Sequence, residues 1–184
     1  MKKLLSIVLL ASGLATSAQA VLVGVEAGYL TNNKDSYLSA RVGYEFRADS
    51  AVSHQLAFEI GYTEHRQSIV PLASSLTATT KLTPVTLNYR AEFGGVGKFG
   101  YYVGAGIGFA RTSTSLPGSG VQNISQSDTN TAVQVFGGVA FEVSSATTLH
   151  LGLKYLWLGD THLSPYTVRT GDDLAITAGA SFKF

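Results

Sequence analysis

The sequence has 184 residues, no cysteine and a formal net charge of +1 at pH 7. This length suits a single domain. The lack of cysteine excludes disulfide bonds and thiolate metal sites, and the balanced charge excludes the basic surplus of proteins that bind nucleic acid.

The start of the chain has the features of a secretory signal peptide. Two lysines at positions 2 and 3 precede a short apolar stretch, and residues 18–20 (AQA) form a small-residue cleavage site. We expect cleavage after Ala20, so that residues 1–20 are the signal peptide and residues 21–184 are the mature domain, which has a net charge of −1. The alternative is an uncleaved anchor, but the apolar stretch is too short to cross a bilayer as a helix.

Apolar residues alternate with other residues in eight segments of the mature chain. A period of two places the apolar stripe of each segment on one face of a β-strand. No stretch approaches the ~18 apolar residues of a membrane-spanning helix, which leaves a transmembrane β-barrel or a soluble β-protein. The predicted strands are residues 21–29, 38–46, 55–62, 85–93, 99–109, 133–143, 149–157 and 173–184.

Strand length, stripe composition and connection length favour the membrane barrel. Most of the strands are about as long as the 9–11 residues that a tilted membrane crossing needs, and the apolar stripes contain no charged residue. Short periplasmic turns and long outer loops are typical of such barrels. The short connections are residues 47–53, 94–98 and 144–147, and the long polar ones are residues 64–80, 112–130 and 159–172. We therefore predict an all-β, eight-stranded antiparallel up-and-down transmembrane barrel in the bacterial outer membrane.

Aromatic residues of the apolar stripes lie near the strand ends. Aromatic rings favour the membrane–water interface, so this placement predicts two girdles. A soluble core would instead hold its large aromatics in the middle of the strands. The interface residues chosen are Phe46, Phe93, Phe182 and Phe184 for the periplasmic girdle, and Tyr29, Tyr62, Phe109, Tyr155 and Trp157 for the extracellular girdle.

The other stripe is small and polar and carries isolated charges. An eight-stranded barrel is just wide enough for side chains to fill it, and buried charges need partners. We predict an ion-pair network in the lumen that consists of Glu26, Arg41, Glu59, Arg90 and Lys154. One interpretation is that the network fills and ties the barrel; the alternative is a gate for a narrow water path.

Three motifs resemble OmpA-type and opacity-type outer-membrane barrels. Residues 101–110 (YYVGAGIGFA) resemble the glycine-rich strand of that family, and residues 154–160 (KYLWLGD) resemble its penultimate strand. Residues 181–184 (SFKF) resemble the C-terminal signal that the barrel-assembly machinery recognises, with Phe184 as the terminal aromatic. The resemblance implies a periplasmic chaperone route, the assembly machinery, outer-membrane lipid and lipopolysaccharide as partners. It implies no single activity.

Few residues suit catalysis or metal binding. His162 and Ser164 lie close to Asp160 at the predicted outer surface, and lipid A deacylases are small barrels with a serine–histidine site at that height. Pro165 follows directly, however, and the segment is typical of a loop. We therefore predict no catalytic residue, no metal site and no cofactor.

The long loops are the remaining candidates for function. The loop at 64–80 contains Ile69, Val70, Leu72 and Leu76, which either extend the strands above the membrane or contact a partner. We predict a monomeric, non-enzymatic surface protein that supports the envelope or mediates adhesion, with a host or surface ligand at the loops. The alternatives are a narrow porin-like channel for ions or small solutes and, third, a lipid A-modifying enzyme.

Overall fold

The computed structural model describes residues 20–47, 52–69, 76–94, 98–116, 124–158, 161–163, 166–168 and 172–184. The predicted signal peptide lies outside the described residues, apart from Ala20. No helix of membrane-crossing length and hydropathy occurs in these ranges.

Eight long antiparallel strands close into one barrel. Each strand pairs with the next along the chain, and the first pairs with the last. This topology confirms the predicted up-and-down barrel. The barrel strands are β1 (Ala20–Leu30), β2 (Asp35–Arg47), β3 (Val52–Ile69), β4 (Leu76–Gly94), β5 (Phe99–Leu116), β6 (Ile124–Ser144), β7 (Thr147–Leu158) and β10 (Asp173–Lys183). Two short strands, β8 (Thr161–Leu163) and β9 (Tyr166–Val168), form a separate hairpin between β7 and β10.

The alternation in the sequence becomes an inside and an outside of the barrel. Large apolar side chains such as Phe58 and Ile107 are 60% and 63% exposed on the outer surface. Their neighbours on the other stripe, for example Glu59 and Gln134, are buried in the lumen. An apolar exterior around a largely polar interior is the reverse of a soluble fold and suits a hydrocarbon solvent.

The prediction of long loops at residues 64–80 and 112–130 is wrong for most of their length. β3 continues to Ile69, β4 begins at Leu76, β5 continues to Leu116 and β6 begins at Ile124. Above the membrane the outer face of a strand meets water and the inner face carries buried threonines such as Thr112 and Thr114, so the apolar alternation that marks the lower strands is lost. Ile69 and Leu76 therefore belong to strands that extend above the membrane, which is one of the two alternatives given by the sequence. Val70 and Leu72 lie outside the described residues.

Glycines on the inward stripe make room for large polar side chains. A Cβ atom on Gly24 would lie 2.6 Å from Nε of Arg41, and one on Gly106 would overlap the side-chain amide of Asn88. The absence of a side chain at these two glycines thus leaves the space that Arg41 and Asn88 occupy in the lumen.

Candidate functional site

The middle of the lumen holds one buried cation between two carboxylates. The side chain of Lys154 is 2% exposed, and its Nζ lies 2.5 Å from Oε1 of Glu26 and 2.6 Å from Oε1 of Glu59. The Glu26 oxygen is close but not aligned for a hydrogen bond, so that contact is an ion pair. Glu59 also accepts hydrogen bonds from the Tyr37 hydroxyl at 3.0 Å and from Nδ2 of Asn88 at 2.9 Å. This middle layer thus joins β1, β2, β3, β4 and β7.

The polar contacts around Glu59 continue to β6. Nε2 of Gln134 donates to Oδ1 of Asn88 at 2.7 Å and to Oγ1 of Thr86 at 3.1 Å. A buried charge is stable only when its partners satisfy it, and the removal of one partner typically costs about 3–5 kcal/mol. The middle layer therefore acts as an internal tie across the barrel.

A second layer lies nearer the periplasmic end and centres on His150. Nη2 of Arg90 donates to Oε2 of Glu92 at 2.9 Å and to Nδ1 of His150 at 2.8 Å. Because a guanidinium only donates, Nδ1 must accept, and the ring proton is assigned to Nε2. Nε2 then donates to Oγ of Ser181 at 2.7 Å, and Arg41 donates to the same oxygen at 2.6 Å. The geometry thus requires a neutral imidazole between two arginines.

The periplasmic end of the lumen contains one more ion pair. Nζ of Lys183 lies 2.8 Å from Oε2 of Glu45. Gln55 links this pair to the layer above, because its Nε2 donates to Glu45 at 3.2 Å and to Glu92 at 3.4 Å. Polar contacts therefore connect the ion pair at the periplasmic end to the layer around His150.

The five residues of the predicted network do not form one group. The structure brings Glu26, Glu59 and Lys154 together in the middle layer, whereas it places Arg41 and Arg90 in the layer below. Among the described residues, Arg41 forms no ion pair with a carboxylate. Alternation shows which side chains point inward, but the height of each on its strand depends on the shear of the barrel, which the pattern does not give.

Sequence reasoning missed the neutral members of both layers. These residues carry hydrogen bonds between the charged groups, and as common polar residues they gave no signal besides their place on the inward stripe. They are Tyr37, Asn88, Gln134 and Ser181.

An apolar section of the lumen lies above the middle layer, and buried threonines such as Thr80, Thr112 and Thr114 lie farther out. The predicted small and polar inward stripe is thus interrupted by this section. Its buried side chains form one cluster, in which Leu156 is 2% exposed and Ala175 is fully buried. The members of the cluster are Leu30, Tyr37, Leu82, Ala110, Ala132, Leu156, Leu158 and Ala175.

The predicted interface aromatics lie on the outer surface of the barrel. Seven of them are exposed, whereas Phe46 and Tyr155 are half-buried because Phe46 stacks on His54 and Tyr155 packs against Trp157. Their contact with the two membrane interfaces stays a prediction. At the seam of the barrel, Phe184 and Val21 exchange backbone hydrogen bonds of 3.0 and 3.1 Å. This contact places the terminal aromatic directly on the first strand.

The extracellular rim is tied by acidic side chains. The carboxylate of Asp173 accepts hydrogen bonds from the backbone N–H groups of Asn32 and Asn33, at 2.9 and 3.1 Å. Nδ1 of His65 lies 2.6 Å from Oδ2 of Asp35. Higher on β3, Nε of Arg66 donates to Glu64, and this hydrogen bond is the largest cause of the lowered pKa of the Glu64 carboxyl.

The serine–histidine pair considered from the sequence cannot be placed. Asp160 and Ser164 lie outside the described residues, and the side chain of His162 does so as well. Within the described ranges, no group of three histidine, aspartate or glutamate side chains has the arrangement of a metal site.

The whole chain, apart from its first three residues, matches one family model. The model describes the outer membrane protein beta-barrel domain and covers residues 4–184. The chain belongs to this family. No curated protein sequence is significantly similar to it.

Solved structures of small outer-membrane barrels share the fold. A major outer membrane protein from Thermus thermophilus is 10% identical, with a TM-score of 0.61 over 90% of this chain and 99% of that chain. Neisserial surface protein A is 18% identical, with a TM-score of 0.51 over 90% and 96% of the two chains. The outer membrane enzyme PagL is 13% identical, with a TM-score of 0.50 over 88% and 98%. The outer membrane protein beta-barrel domain described here is therefore located in the bacterial outer membrane, in contact with its lipid.

Proposed function

We propose that the protein is a surface protein that binds a partner through its extracellular wall, while the tied lumen serves as a closed support. The wall consists of the parts of β3–β6 beyond Tyr62 and Phe109. The observation that carries the proposal is the unequal height of the strands. β3 to β6 continue to Ile69, Leu76, Leu116 and Ile124, whereas β1, β2, β7 and β10 end at the rim.

One edge of the wall is suited to strand addition. β3 pairs with β2 only as far as Thr63, opposite Tyr37, but it pairs with β4 as far as Ile69, opposite Leu76. Residues 66–69 lie beyond the start of β2 at Asp35, which contacts His65, and thus have a strand neighbour on one side only, among the described residues. An extended peptide that adds to such an edge gains main-chain hydrogen bonds, and its side chains supply specificity.

The lumen supports a surface role better than a conducting one. The apolar cluster around Leu82 and Leu156 lies above the middle layer, and the ion-paired layers lie below the cluster. An apolar constriction disfavours the passage of water and ions. We infer that the lumen transmits no solute and that the binding surface lies outside it.

The test shortens one half of the wall at a time. His65 and Thr80 face each other in the β3–β4 pair, so residues 66–79 can be replaced by Asn-Gly, which favours a two-residue hairpin turn. Thr114 and Gln126 allow the matched change of residues 115–125 in the β5–β6 pair. Bacteria that display each form are compared for adherence to epithelial cells and to immobilised matrix proteins. A heat-modifiable gel shift verifies that each barrel has folded.

The two deletions distinguish partner binding by the edge of β3 from partner binding by the rest of the wall. We expect the β3–β4 deletion to abolish adherence and the β5–β6 deletion to reduce it less, because only the first removes the edge of residues 66–69. Equal adherence of all three folded forms would contradict the proposed function.

A further inference from the structure

The outer wall of the barrel has an open apolar groove of about 870 Å³ across β10, β1, β2 and β3. Small side chains form its floor: Ala180 is opposite Val25, which is opposite Ala40, and Ala178 is opposite Ala27. Larger side chains rise at its two ends. The groove therefore follows the hydrogen-bonding direction, which runs obliquely across the membrane because barrel strands are tilted.

The two ends of the groove differ in height. At one end Leu149 lies two residues after the start of β7, near the periplasmic turn. At the other end Tyr62 and Thr83 line the groove at the level of the predicted extracellular girdle. The groove thus begins low in the apolar belt and opens near the outer-leaflet headgroups.

Cations lie directly above the upper end of the groove. Thr83 is opposite Arg111, and Lys81 lies two residues before Thr83, toward the extracellular start of β4. Both cations are exposed on the outer face, because their inward neighbours Thr80, Leu82, Ala110 and Thr112 are buried. Arg111 is two residues beyond Phe109, or about 7 Å farther along the strand. This height matches the charged headgroups of the outer leaflet.

The cations near the groove outnumber the acids. On β3, β4 and β5 beyond Tyr62 and Phe109, Glu64 is the one acid among the described outward-facing residues, and Arg66 forms an ion pair with it at 2.9 Å. Lys81, which lies opposite Glu64 in register, and Arg111 supply the remaining positive charge. An anion at this height is therefore attracted to β4 and β5.

We propose that the groove and the two cations form one binding site for a phosphorylated, acylated lipid of the outer leaflet. An acyl chain lies over the alanine floor, and a phosphate contacts Lys81 and Arg111. The apolar groove alone would accept any hydrocarbon, whereas the cations select a phosphorylated headgroup. The site is independent of the partner-binding edge of β3.

The experiment measures retention of bisphosphorylated lipid A by the refolded protein in detergent, by native mass spectrometry. Lys81→Gln and Arg111→Gln remove the charges, and Ala40→Leu fills the floor of the groove. Two matched controls change the same residue types elsewhere: Lys98→Gln at the periplasmic turn before β5, and Ala105→Leu on the outward stripe of β5. The dephosphorylated lipid is tested in parallel.

We expect the charge variants together to lower retention about tenfold and Ala40→Leu to lower it about fivefold. We expect both controls to bind like the native protein, and the dephosphorylated lipid to bind as weakly as the charge variants do. A loss in the charge variants alone would mean headgroup adsorption and would overturn the groove. Equal binding of the dephosphorylated lipid would overturn the phosphate contact. A dimer that Ala40→Leu dissociates would assign the groove to a second copy and would also overturn the proposal.

Discussion

Lys154 and Glu59 are separated by 95 residues in the chain, yet their side chains are joined by a hydrogen bond of 2.6 Å in the lumen. Glu26 approaches the same ammonium group from a third strand. The buried ammonium group of Lys154 thus compensates the charges of two carboxylates that are themselves largely buried. The stability of the barrel should depend on this set as a unit.

The first prediction concerns the removal of the cation. Lys154→Met keeps the volume but leaves Glu26 and Glu59 uncompensated, so we expect the free energy of unfolding to fall by about 3–5 kcal/mol. The measurement is guanidinium unfolding of the protein folded in lipid bilayers. Adding Glu26→Gln and Glu59→Gln to Lys154→Met should restore most of the loss. Lys183→Met is the control, because the Lys183 side chain is 21% exposed and its ion pair is worth less. An equal fall of the free energy of unfolding in Lys154→Met and Lys183→Met would show that the burial of a lysine does not determine the cost of its removal.

The sequence was sufficient to predict the strands that cross the membrane. In segments such as residues 99–109, one face must be apolar to meet lipid and the other meets the lumen, so the period of two is strict. The same rule explains why the sequence of residues 112–116 has no strand pattern, although β5 continues through them. Above the membrane Thr112, Ser113 and Thr114 are polar on both faces, and strand pairing there leaves no periodic trace.

The second prediction concerns the glycine that gives Asn88 its space. A side chain on Gly106 would displace the Asn88 amide, which holds both Gln134 and Glu59. We expect Gly106→Val to lower the free energy of unfolding by about 1–3 kcal/mol, since overpacking forces side chains out of their rotamers. Ala105→Val adds a similar volume at the adjacent residue, whose side chain faces the lipid, and should change the free energy of unfolding little. The same bilayer unfolding assay compares the two, and an equal effect would contradict the steric argument.

The third prediction concerns the protonation of His150. Its Nδ1 accepts from Arg90 and its Nε2 donates to Ser181, so the ring should be the neutral Nε2–H tautomer. Nitrogen chemical shifts of the labelled ring report the tautomer directly. We expect them to stay constant across about pH 5–8, the range in which an unperturbed histidine titrates. His65, beside Asp35 at the rim, serves as the comparison within the same sample. A protonated ring at the lower end of this range would contradict the assignment.

The candidate site was less predictable than the strands. All five members of the predicted network are charged residues of the inward stripe, but Arg90 pairs with Glu92 on its own strand rather than with the middle layer. The height of a side chain follows from strand tilt and stagger, which depend on the whole closed barrel. A single sequence gives the face of each residue but not its height.

The fourth prediction concerns the tie between the first loop and the last strand. Asp173→Ala leaves the part-buried N–H groups of Asn32 and Asn33 without their acceptor, which should cost about 1 kcal/mol locally. Hydrogen exchange of the amides in residues 31–34 should therefore accelerate, while exchange in the middle of β1 should not. Asp173→Asn keeps one acceptor oxygen and should show a smaller effect. Unchanged exchange in the alanine variant would mean that the turn, which contains Lys34 at a φ of 60°, is held by its own backbone.

The last prediction concerns conduction. Because Leu82 and Leu156 belong to the apolar cluster above the middle layer of the lumen, the native protein should be silent in planar bilayers. Truncation of both to alanine removes the apolar constriction and should raise the conductance above that of the bare bilayer. Leu151→Ala is the control, since Leu151 is 57% exposed on the lipid-facing side and its truncation leaves the lumen unchanged. Discrete openings of the native protein would show that the apolar cluster admits water and would restore the channel as the leading function.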